Sequence, residues 1–163
     1  MGDFSKAGIG RGTEFQKKAE IRSDYIYWLS DSGETLLQKK YLNAIRNISE
    51  LFRNSFFIPI RDFESHFAIF PEGSFYNRHL DQFRETSNRL ITVILYLNED
   101  WSVGNGGELR IFLDEQVIDI EPLFGRLLIF RSDKIEHSVL KTNKARYSIT
   151  GWLRRETTGV IEL

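Results

Sequence analysis

The sequence predicts a mainly β domain with one helix packed against its outside. From Phe56 onward, short runs of β-type residues recur at regular intervals and are separated by turn residues. Before that point, only one segment has the periodicity of an amphipathic helix. The number and spacing of the β-type runs favour a sandwich or barrel. A chain of 163 residues fits a single domain.

The first third of the chain supplies the arm and the helix. Residues 1–15 contain four glycines without periodicity, which predicts a loop or flexible arm, and residues 21–29 predict a short strand. A turn at residues 31–34, with a capping-type spacing of Asp31 and Glu34, precedes a helix predicted over residues 35–53. Its polar face is expected to carry Gln38, and its apolar stripe consists of Leu37, Tyr41, Ile45, Ile48 and Phe52.

The remaining elements are strands. They are predicted at residues 64–70, 75–79, 89–97, 108–112, 117–120, 126–130, 137–139 and 147–153. Turn residues separate them, and the segment 141–145 is expected to form a hairpin loop between the last two strands.

Composition excludes several functional classes. The 22 Lys and Arg residues nearly balance 23 Asp and Glu residues, so no overall basic field would attract nucleic acid or an anionic membrane. The chain has no cysteine, which excludes disulfides, zinc–thiolate sites and a cysteine nucleophile. No signal peptide or apolar span is visible, and a cytoplasmic protein is therefore expected.

A pair of potential metal ligands stands out at His79-Leu80-Asp81. Residues i and i+2 of a strand point to the same face, so both side chains could reach one ion. The only other histidines are His66 and His137, and a third ligand has to come from elsewhere in the chain. Two imidazoles and one carboxylate on one face of an octahedron are typical of non-haem Fe(II) oxygenases. By itself, however, His-x-Asp also occurs by chance.

A second signal is Arg146, nine residues after His137. In an extended strand, every second side chain points to the same side, so Arg146, Ser148, Thr150 and Trp152 are expected to share one face. An arginine facing an apolar interior needs an anion to offset its desolvation. Its partner could be a ligand carboxylate, held by two parallel hydrogen bonds from the guanidinium, or an acidic side chain of the protein.

Longer stretches of sequence carry a family resemblance. They comprise Ile21-Arg22-Ser23-Asp24, Tyr76-Asn77-Arg78-His79-Leu80-Asp81, Arg89-Leu90-Ile91-Thr92, Tyr96-Leu97-Asn98-Glu99-Asp100-Trp101, Gly106-Gly107-Glu108-Leu109-Arg110-Ile111-Phe112, Ile120-Glu121-Pro122, Gly125-Arg126-Leu127-Leu128-Ile129-Phe130, Ser132-Asp133, His137, and Arg146-Tyr147-Ser148-Ile149-Thr150-Gly151-Trp152. In order and spacing, the chain closely resembles the prolyl hydroxylases of the Fe(II)/2-oxoglutarate oxygenase superfamily, particularly the oxygen-sensing type and its bacterial relatives.

The resemblance implies a double-stranded β-helix (jelly-roll) core over residues 63–155, within a single domain 1–163. Residues 1–62 would form the arm, short strands and supporting helix, and residues 156–163 a tail. It implies Fe(II) ligation by His79, Asp81 and His137. The 2-oxoglutarate site would comprise Arg146, Tyr96, Thr150, Ile94 and Tyr76. The positions that match substrate-binding residues are Trp152, Tyr76, Arg89, Arg22 and Asp24. For the last three, a surface ion pair is the alternative reading.

Two departures from the family pattern accompany the resemblance. Phe70 stands where relatives have a tyrosine, so a hydrogen bond near the metal-bound end of the co-substrate is expected to be missing. Relatives also usually carry a helix and a strand before the segment that matches residues 8–11, so this chain is expected to begin late relative to them.

The implied activity is hydroxylation of a prolyl residue at C4 in a protein substrate, with O2 consumed, succinate and CO2 released, and ascorbate as reductant. A cytosolic protein such as a translation component is one conceivable substrate. Asp81 argues against a halogenase, which lacks the carboxylate ligand. Trp152 stands where a nucleic-acid demethylase has a second arginine. Hydroxylation of another residue type or of a small molecule is the alternative, and a non-catalytic metal-binding jelly roll is the alternative from another class.

Overall fold

The structure of the protein is a computed structural model, and it describes residues 4–8, 21–82 and 88–155. Within these ranges it forms one helix and ten strands. The elements are β1 (Ser5–Lys6), β2 (Tyr25–Trp28), α1 (Leu36–Phe56), β3 (Asp62–Phe70), β4 (Tyr76–His79), β5 (Arg89–Tyr96), β6 (Leu109–Phe112), β7 (Val117–Ile120), β8 (Leu127–Arg131), β9 (Glu136–Val139) and β10 (Arg146–Arg154).

Two antiparallel sheets face each other. The larger sheet has the order β1-β2-β3-β10-β5-β8, and the smaller has the order β4-β9-β6-β7. Between them lies one apolar cluster, to which both sheets contribute Ala68, Phe70, Ile94, Tyr96, Leu109 and Val139. Because two facing sheets share this core, the structure is the predicted mainly β jelly roll with a flanking helix, and the fold-class prediction is confirmed.

Helix α1 begins at a capping box formed by Thr35 and Gln38. The backbone N–H of Gln38 donates to the Thr35 hydroxyl over 3.2 Å, and the Gln38 side chain accepts from the Thr35 N–H over 2.9 Å. The predicted cap on Asp31 and Glu34 is therefore wrong, although Asp31 does lie in a turn. Both pairs have the three-residue spacing of a capping box, but the helix begins at Leu36, so only Thr35 occupies the N-cap position.

The buried face of α1 differs from the predicted stripe. Leu42 is 2% exposed, whereas Leu37 is 76% exposed. The helix buries Gln38 and Ser49 on the same face because both are hydrogen-bonded, Gln38 in the cap and Ser49 to the carbonyl of Ile45. Tyr41, Ile45, Ile48 and Phe52 of the predicted stripe do pack against the core, so the prediction was wrong for Leu37, which is exposed, and for Gln38, which is buried.

The helix covers the outer face of the larger sheet. Ile45 packs against Ile91 and Val93 of β5 and Leu153 of β10, and the remaining members of this cluster are Ile60, Leu90, Tyr41, Ile48, Phe52, Ile58 and Phe63. Apolar layers on both faces of the central strands explain why residues 89–96 form a nearly continuous apolar run. Among the described residues, no helix combines the length and apolar character needed to cross a membrane.

The bounds of the eight strands predicted from residue 64 onward agree with the observed bounds within two residues. One predicted connection between strands is wrong. β9 pairs with β4 and β6, whereas β10 pairs with β3 and β5. Residues 141–145 thus cross from the smaller to the larger sheet and are not the predicted hairpin loop. The predicted arm contains β1, which pairs with β2. Residues 1–3 and 9–15 of that arm, and the predicted tail 156–163, lie outside the described residues.

Candidate active site

The structure brings together the three predicted metal ligands. His79 at the end of β4 is paired in register with His137 of β9, and Asp81 follows β4. One potential ligand atom from each residue lies within 4.8 Å of the others. The Nε2 atoms of His79 and His137 lie 3.5 and 3.6 Å from the two carboxylate oxygens of Asp81. Asp81 lies in a bend beyond the strand, so strand alternation is not what aligns it with His79.

Backbone carbonyls orient both imidazoles. Nδ1 of His79 lies 2.6 Å from the carbonyl oxygen of Asn77, and Nδ1 of His137 lies 3.0 Å from that of Ile135. A carbonyl only accepts, so each Nδ1 carries the proton and each Nε2 presents a lone pair to the common centre. Burial lowers the pKa of His137, which favours the neutral form that binds metals.

Two buried hydroxyls hold Asp81. Thr92 on β5 donates to a carboxylate oxygen over 2.7 Å, and the hydroxyl of Ser132 lies 2.8 Å from that of Thr92. Burial would raise the pKa of Asp81, but the imidazoles of His137 and His79 and the hydrogen bond from Thr92 hold this pKa well below its usual range. Asp81 is therefore an ionised carboxylate, the form that binds a metal ion. Sequence reasoning assigned no role to Thr92 or Ser132; Thr92 gave the signal of a lone hydroxyl within an apolar run, whereas Ser132, between Arg131 and Asp133, gave none.

The guanidinium of Arg146 is buried without an acidic partner. The residue is 2% exposed, and its Nε donates to the carbonyl of Gly107 over 2.8 Å. Gly107 has φ +67°, and a Cβ there would stand 3.0 Å from Cδ of Arg146. No ion pair joins Arg146 to a carboxylate within residues 4–8, 21–82 and 88–155. The alternative of a protein acid as its partner is thus not realised in these ranges.

Tyr96 completes a polar pocket around Arg146. The guanidinium carbon lies 4.9 Å from the centre of the Tyr96 ring, and the buried Tyr96 hydroxyl has no hydrogen-bond partner among the described residues. Burial raises the pKa of Tyr96 and outweighs the opposing effect of the adjacent Arg146 guanidinium, so the hydroxyl keeps its proton and can donate. An unpaired guanidinium beside an unsatisfied O–H donor fits the distal carboxylate of a dicarboxylic acid such as 2-oxoglutarate.

Phe70, the residue expected from the resemblance to stand in place of a tyrosine, lies at the same end of the site. It faces Arg146 across β3 and β10, and the guanidinium carbon is 5.0 Å from the ring centre. The structure thus places this ring against the cation. The expected loss of a hydrogen bond at the metal-bound end of the co-substrate stays a prediction.

One cavity of about 260 Å³ joins the predicted site residues. Its wall contains His79, Asp81, His137, Arg146, Thr150, Ile94, Tyr76, Trp152, Arg89, Arg22 and Asp24. Tyr96 lies behind this wall and contacts Arg146. The cavity also includes Trp28, Glu64 and His66, which sequence reasoning did not select. Alternation along β3 could have placed Glu64 and His66 on one face, but it could not show that this face lines the site.

The three residues with an ion-pair alternative are part of the cavity wall. Arg22 donates to both carboxylate oxygens of Asp24, over 2.8 and 2.6 Å, and lies over the ring of Tyr76, which in turn stacks on His79 with ring centres 3.6 Å apart. Arg89 donates to Glu64 and lies 3.4 Å from the centre of a Trp152 ring. These are ion pairs, but they are buried beside the candidate metal centre and not on the outer surface.

Comparison with known proteins agrees with this geometry. A sequence profile of the 2OG-Fe(II) oxygenase superfamily matches residues 65–154. The crystal structure of a Pseudomonas putida prolyl-4-hydroxylase is 42% identical, with a TM-score of 0.81 over 83% of this chain and 74% of that one. A Trichoplax adhaerens prolyl hydroxylase, solved with a peptide fragment of the hypoxia inducible factor oxygen degradation domain, is 29% identical with the same TM-score, over 93% and 70% of the two chains.

Curated relatives match over a similar region. Prolyl hydroxylase EGLN3 of Mus musculus is 33% identical over 144 residues, which are 83% of this chain and 59% of the relative. The chain therefore spans less than two thirds of the length of that relative. Together, the superfamily profile, the sequence identity to a solved prolyl-4-hydroxylase and the His-Asp-His geometry show that the chain belongs to the 2OG-Fe(II) oxygenase superfamily, as a relative of the prolyl hydroxylases.

Proposed function

We propose that this protein is an Fe(II)- and 2-oxoglutarate-dependent dioxygenase that hydroxylates a prolyl residue of a protein substrate at C4. In the net reaction, one oxygen atom of O2 enters the C–H bond and the other enters succinate, while 2-oxoglutarate loses CO2. The observation that carries the proposal is the meeting of two sites in one cavity. The triad of His79, Asp81 and His137 lies in the same cavity as the unpaired guanidinium of Arg146.

The triad is suited to Fe(II) because of its donor set and its openness. Two imidazole nitrogens and one carboxylate oxygen on one side of an ion leave the remaining positions to exchangeable ligands. When bound there, Fe(II) supplies the O2 activation that no side chain provides. The protein's own contribution is to hold the two histidines as Nδ1–H tautomers and Asp81 as a carboxylate fixed by Thr92.

Arg146 would set the position of 2-oxoglutarate. A guanidinium can hold a carboxylate through two parallel hydrogen bonds, and the Tyr96 hydroxyl is available as another donor. Ile94 and Thr150 line the cavity beside them. A co-substrate held at its distal end in this way would present its 2-oxo acid end to the triad. Its orientation would thus be decided before the target residue arrives.

The remainder of the cavity would receive the substrate. Trp152, Tyr76 and the buried charges Arg22, Asp24 and Arg89 are the candidate contacts. The relatives with known structures are named as prolyl hydroxylases, and one was solved with a protein-derived peptide, which supports a prolyl residue in a polypeptide as the target. A cytosolic protein such as a translation component, ascorbate as reductant and a cytoplasmic location are further parts of this proposal.

The test is turnover with candidate peptides. Purified protein with Fe(II), 2-oxoglutarate and ascorbate should form succinate in step with a gain of one oxygen on proline in synthetic proline-containing peptides, measured by mass spectrometry. His79→Ala should abolish both products and Fe(II) binding, because two ligands do not hold the ion in an open geometry. Retained turnover in His79→Ala would refute the site. Oxidation of a small molecule or of another residue, with proline unchanged, would favour the alternative oxygenase activity.

A further inference from the structure

His66 is a buried histidine in the cavity wall that the proposed chemistry does not use. It lies on β3, in register with Trp28 of β2 and Thr150 of β10. Its ring packs between two indoles, with ring centres 4.9 Å from Trp28 and 5.3 Å from Trp152. The residue is 3% exposed, and its Nδ1 has no hydrogen-bond partner within the described parts of the chain. It is not a member of the candidate metal triad.

The neighbouring Trp152 also has a buried polar atom without a hydrogen-bond partner in the described part of the chain. Its indole N–H is buried and has no acceptor in the described residues. Both side chains line the cavity. Buried polar groups in folded proteins are nearly always paired, so two orphaned groups on one wall indicate a polar group supplied from outside the chain.

His66 lies at the border between the co-substrate pocket and the cavity mouth, because it is paired with Thr150 of that pocket on one side and with Trp28 on the other. Glu64, His66, Ala68 and Phe70 alternate along β3 and all line the cavity, and Phe70 is the residue beside Arg146. His66 lies four residues away from Phe70, which is about 13 Å along an extended strand. Trp28, on the far side of His66, is 46% exposed and leads to solvent. The pair thus lies toward the side of the cavity from which a polypeptide can enter.

The protonation state of His66 limits which ligand groups can bind beside it. Burial, together with the nearby guanidiniums of Arg22 and Arg89, lowers the pKa of His66 to about 3. The imidazole is therefore neutral at physiological pH and offers one N–H and one lone pair between two flat aromatic walls. A neutral, planar and polar group fits this environment better than a carboxylate or an ammonium group does.

We propose that His66 and Trp152 bind the peptide backbone of the substrate beside the hydroxylated residue. The indole N–H donates to a backbone carbonyl, and the imidazole of His66 forms a hydrogen bond with an adjacent backbone group. This proposal rests on the proposed function, because it assigns His66 to the substrate of that reaction. His66 is then a residue that decides affinity for the polypeptide and is not a ligand of the metal.

The test compares His66→Phe with His66→Asn. Phe keeps the ring and loses both nitrogens, whereas Asn keeps a polar atom near the position of Nδ1. On the proline peptide that the wild type converts best, His66→Phe should raise the peptide KM about tenfold or more while the KM for 2-oxoglutarate and peptide-independent succinate formation stay within twofold. His66→Asn should recover part of the affinity. Tyr147→Phe, on the face of β10 that does not line the cavity, is the matched control and should behave as the wild type.

The outcomes distinguish this proposal from the one it rests on. A wild type that converts no proline peptide overturns both. A wild type that converts the peptide, with an unchanged peptide KM in His66→Phe, overturns only the role of His66. An equal rise in the KM for 2-oxoglutarate also overturns it.

A second measurement needs no substitution. The chain has only three histidines, so ring-nitrogen NMR signals of 15N-histidine-labelled, zinc-loaded wild type can be assigned individually. On addition of the same peptide, the His66 signals should shift, and on addition of 2-oxoglutarate alone they should not. Unchanged His66 signals with saturating peptide would refute the contact.

Discussion

Arg146 shows how a single side chain acquires a role from its surroundings. The guanidinium of Arg146 is buried beside Phe70 and Tyr96 and has no carboxylate partner among the described residues, so it is costly unless an anion joins it. Thr92 is the counterpart at the triad, since it donates one short hydrogen bond to the ligand carboxylate. Asp81 and Arg146 are thus each held in place by side chains from other strands.

Arg146→Lys tests the guanidinium. Lysine keeps the charge but loses the paired donors and the contact with the aromatic rings. We expect the KM for 2-oxoglutarate to rise roughly 10–100-fold, which corresponds to about 1.5–3 kcal/mol for a hydrogen bond to a charged group. Fe(II) affinity, measured by titration, should change little. An unchanged KM in initial-rate measurements would contradict the assignment of this pocket to the distal carboxylate.

Thr92→Val tests the support of Asp81. Valine keeps the branched shape and removes the hydroxyl, so one carboxylate oxygen loses its donor. Loss of such a partner typically weakens metal binding about 10–100-fold. Ser132→Ala should cost less, because Ser132 reaches Asp81 only through Thr92. Equal Fe(II) dissociation constants in the wild type and Thr92→Val would show that the hydroxyl does not position the ligand.

Among the elements, helix α1 separates what periodicity predicts from what packing decides. The helix was predicted from its apolar spacing, and its start was misplaced by one residue because hydrophobic pattern does not register a Thr–Gln capping box. The buried face includes two polar residues whose hydrogen bonds make burial acceptable. Strands were predicted more accurately than the helix face, since alternation and turn residues mark both their sides and their ends.

Leu42→Ala and Leu37→Ala form a matched pair for that face. Leu42 is buried and Leu37 is largely exposed, so truncation of Leu42 should lower the free energy of unfolding by about 2–5 kcal/mol. Truncation of Leu37 should change it by less than about 0.5 kcal/mol. Urea unfolding followed by circular dichroism measures both. Comparable losses in the two variants would support the stripe expected from sequence over the observed face.

On the scale of the whole molecule, the site lies between two sheets that must pack correctly for it to exist. His79 and His137 come from the smaller sheet, and Thr92 and Arg146 come from the larger. The crossing of residues 141–145 carries the chain from one sheet to the other. Consequently, Arg146 pairs with β3 and not with β9, and its side chain donates to the carbonyl of Gly107, which precedes β6.

Acid unfolding provides a prediction for the whole fold. The pKa of His66 is about 3 in the folded chain, against about 6.5 in an unfolded one, so between these values the unfolded state binds more protons. The stability associated with neutral His66 is therefore present above pH 6.5 and is lost as the pH falls toward 3. Between pH 7 and pH 5, the wild type should lose roughly 2 kcal/mol more than His66→Phe. Parallel stability–pH curves from urea unfolding would contradict the burial of a neutral imidazole.

The sequence by itself determined the fold class, most strands, the three triad residues and Arg146. Local pattern predicted the mainly β class, the strands and the His79–Asp81 pair, whereas the family resemblance implied the jelly roll, His137 as the third ligand and the role of Arg146. Only the tertiary structure decided what surrounds them: the hydroxyls of Thr92 and Ser132 behind Asp81, the unpaired state of Arg146, and the place of His66 between Trp28 and Trp152. Such contacts join strands that are distant in sequence. Period-two alternation predicts which residues of a strand share a face, but it does not predict which other element packs against that face.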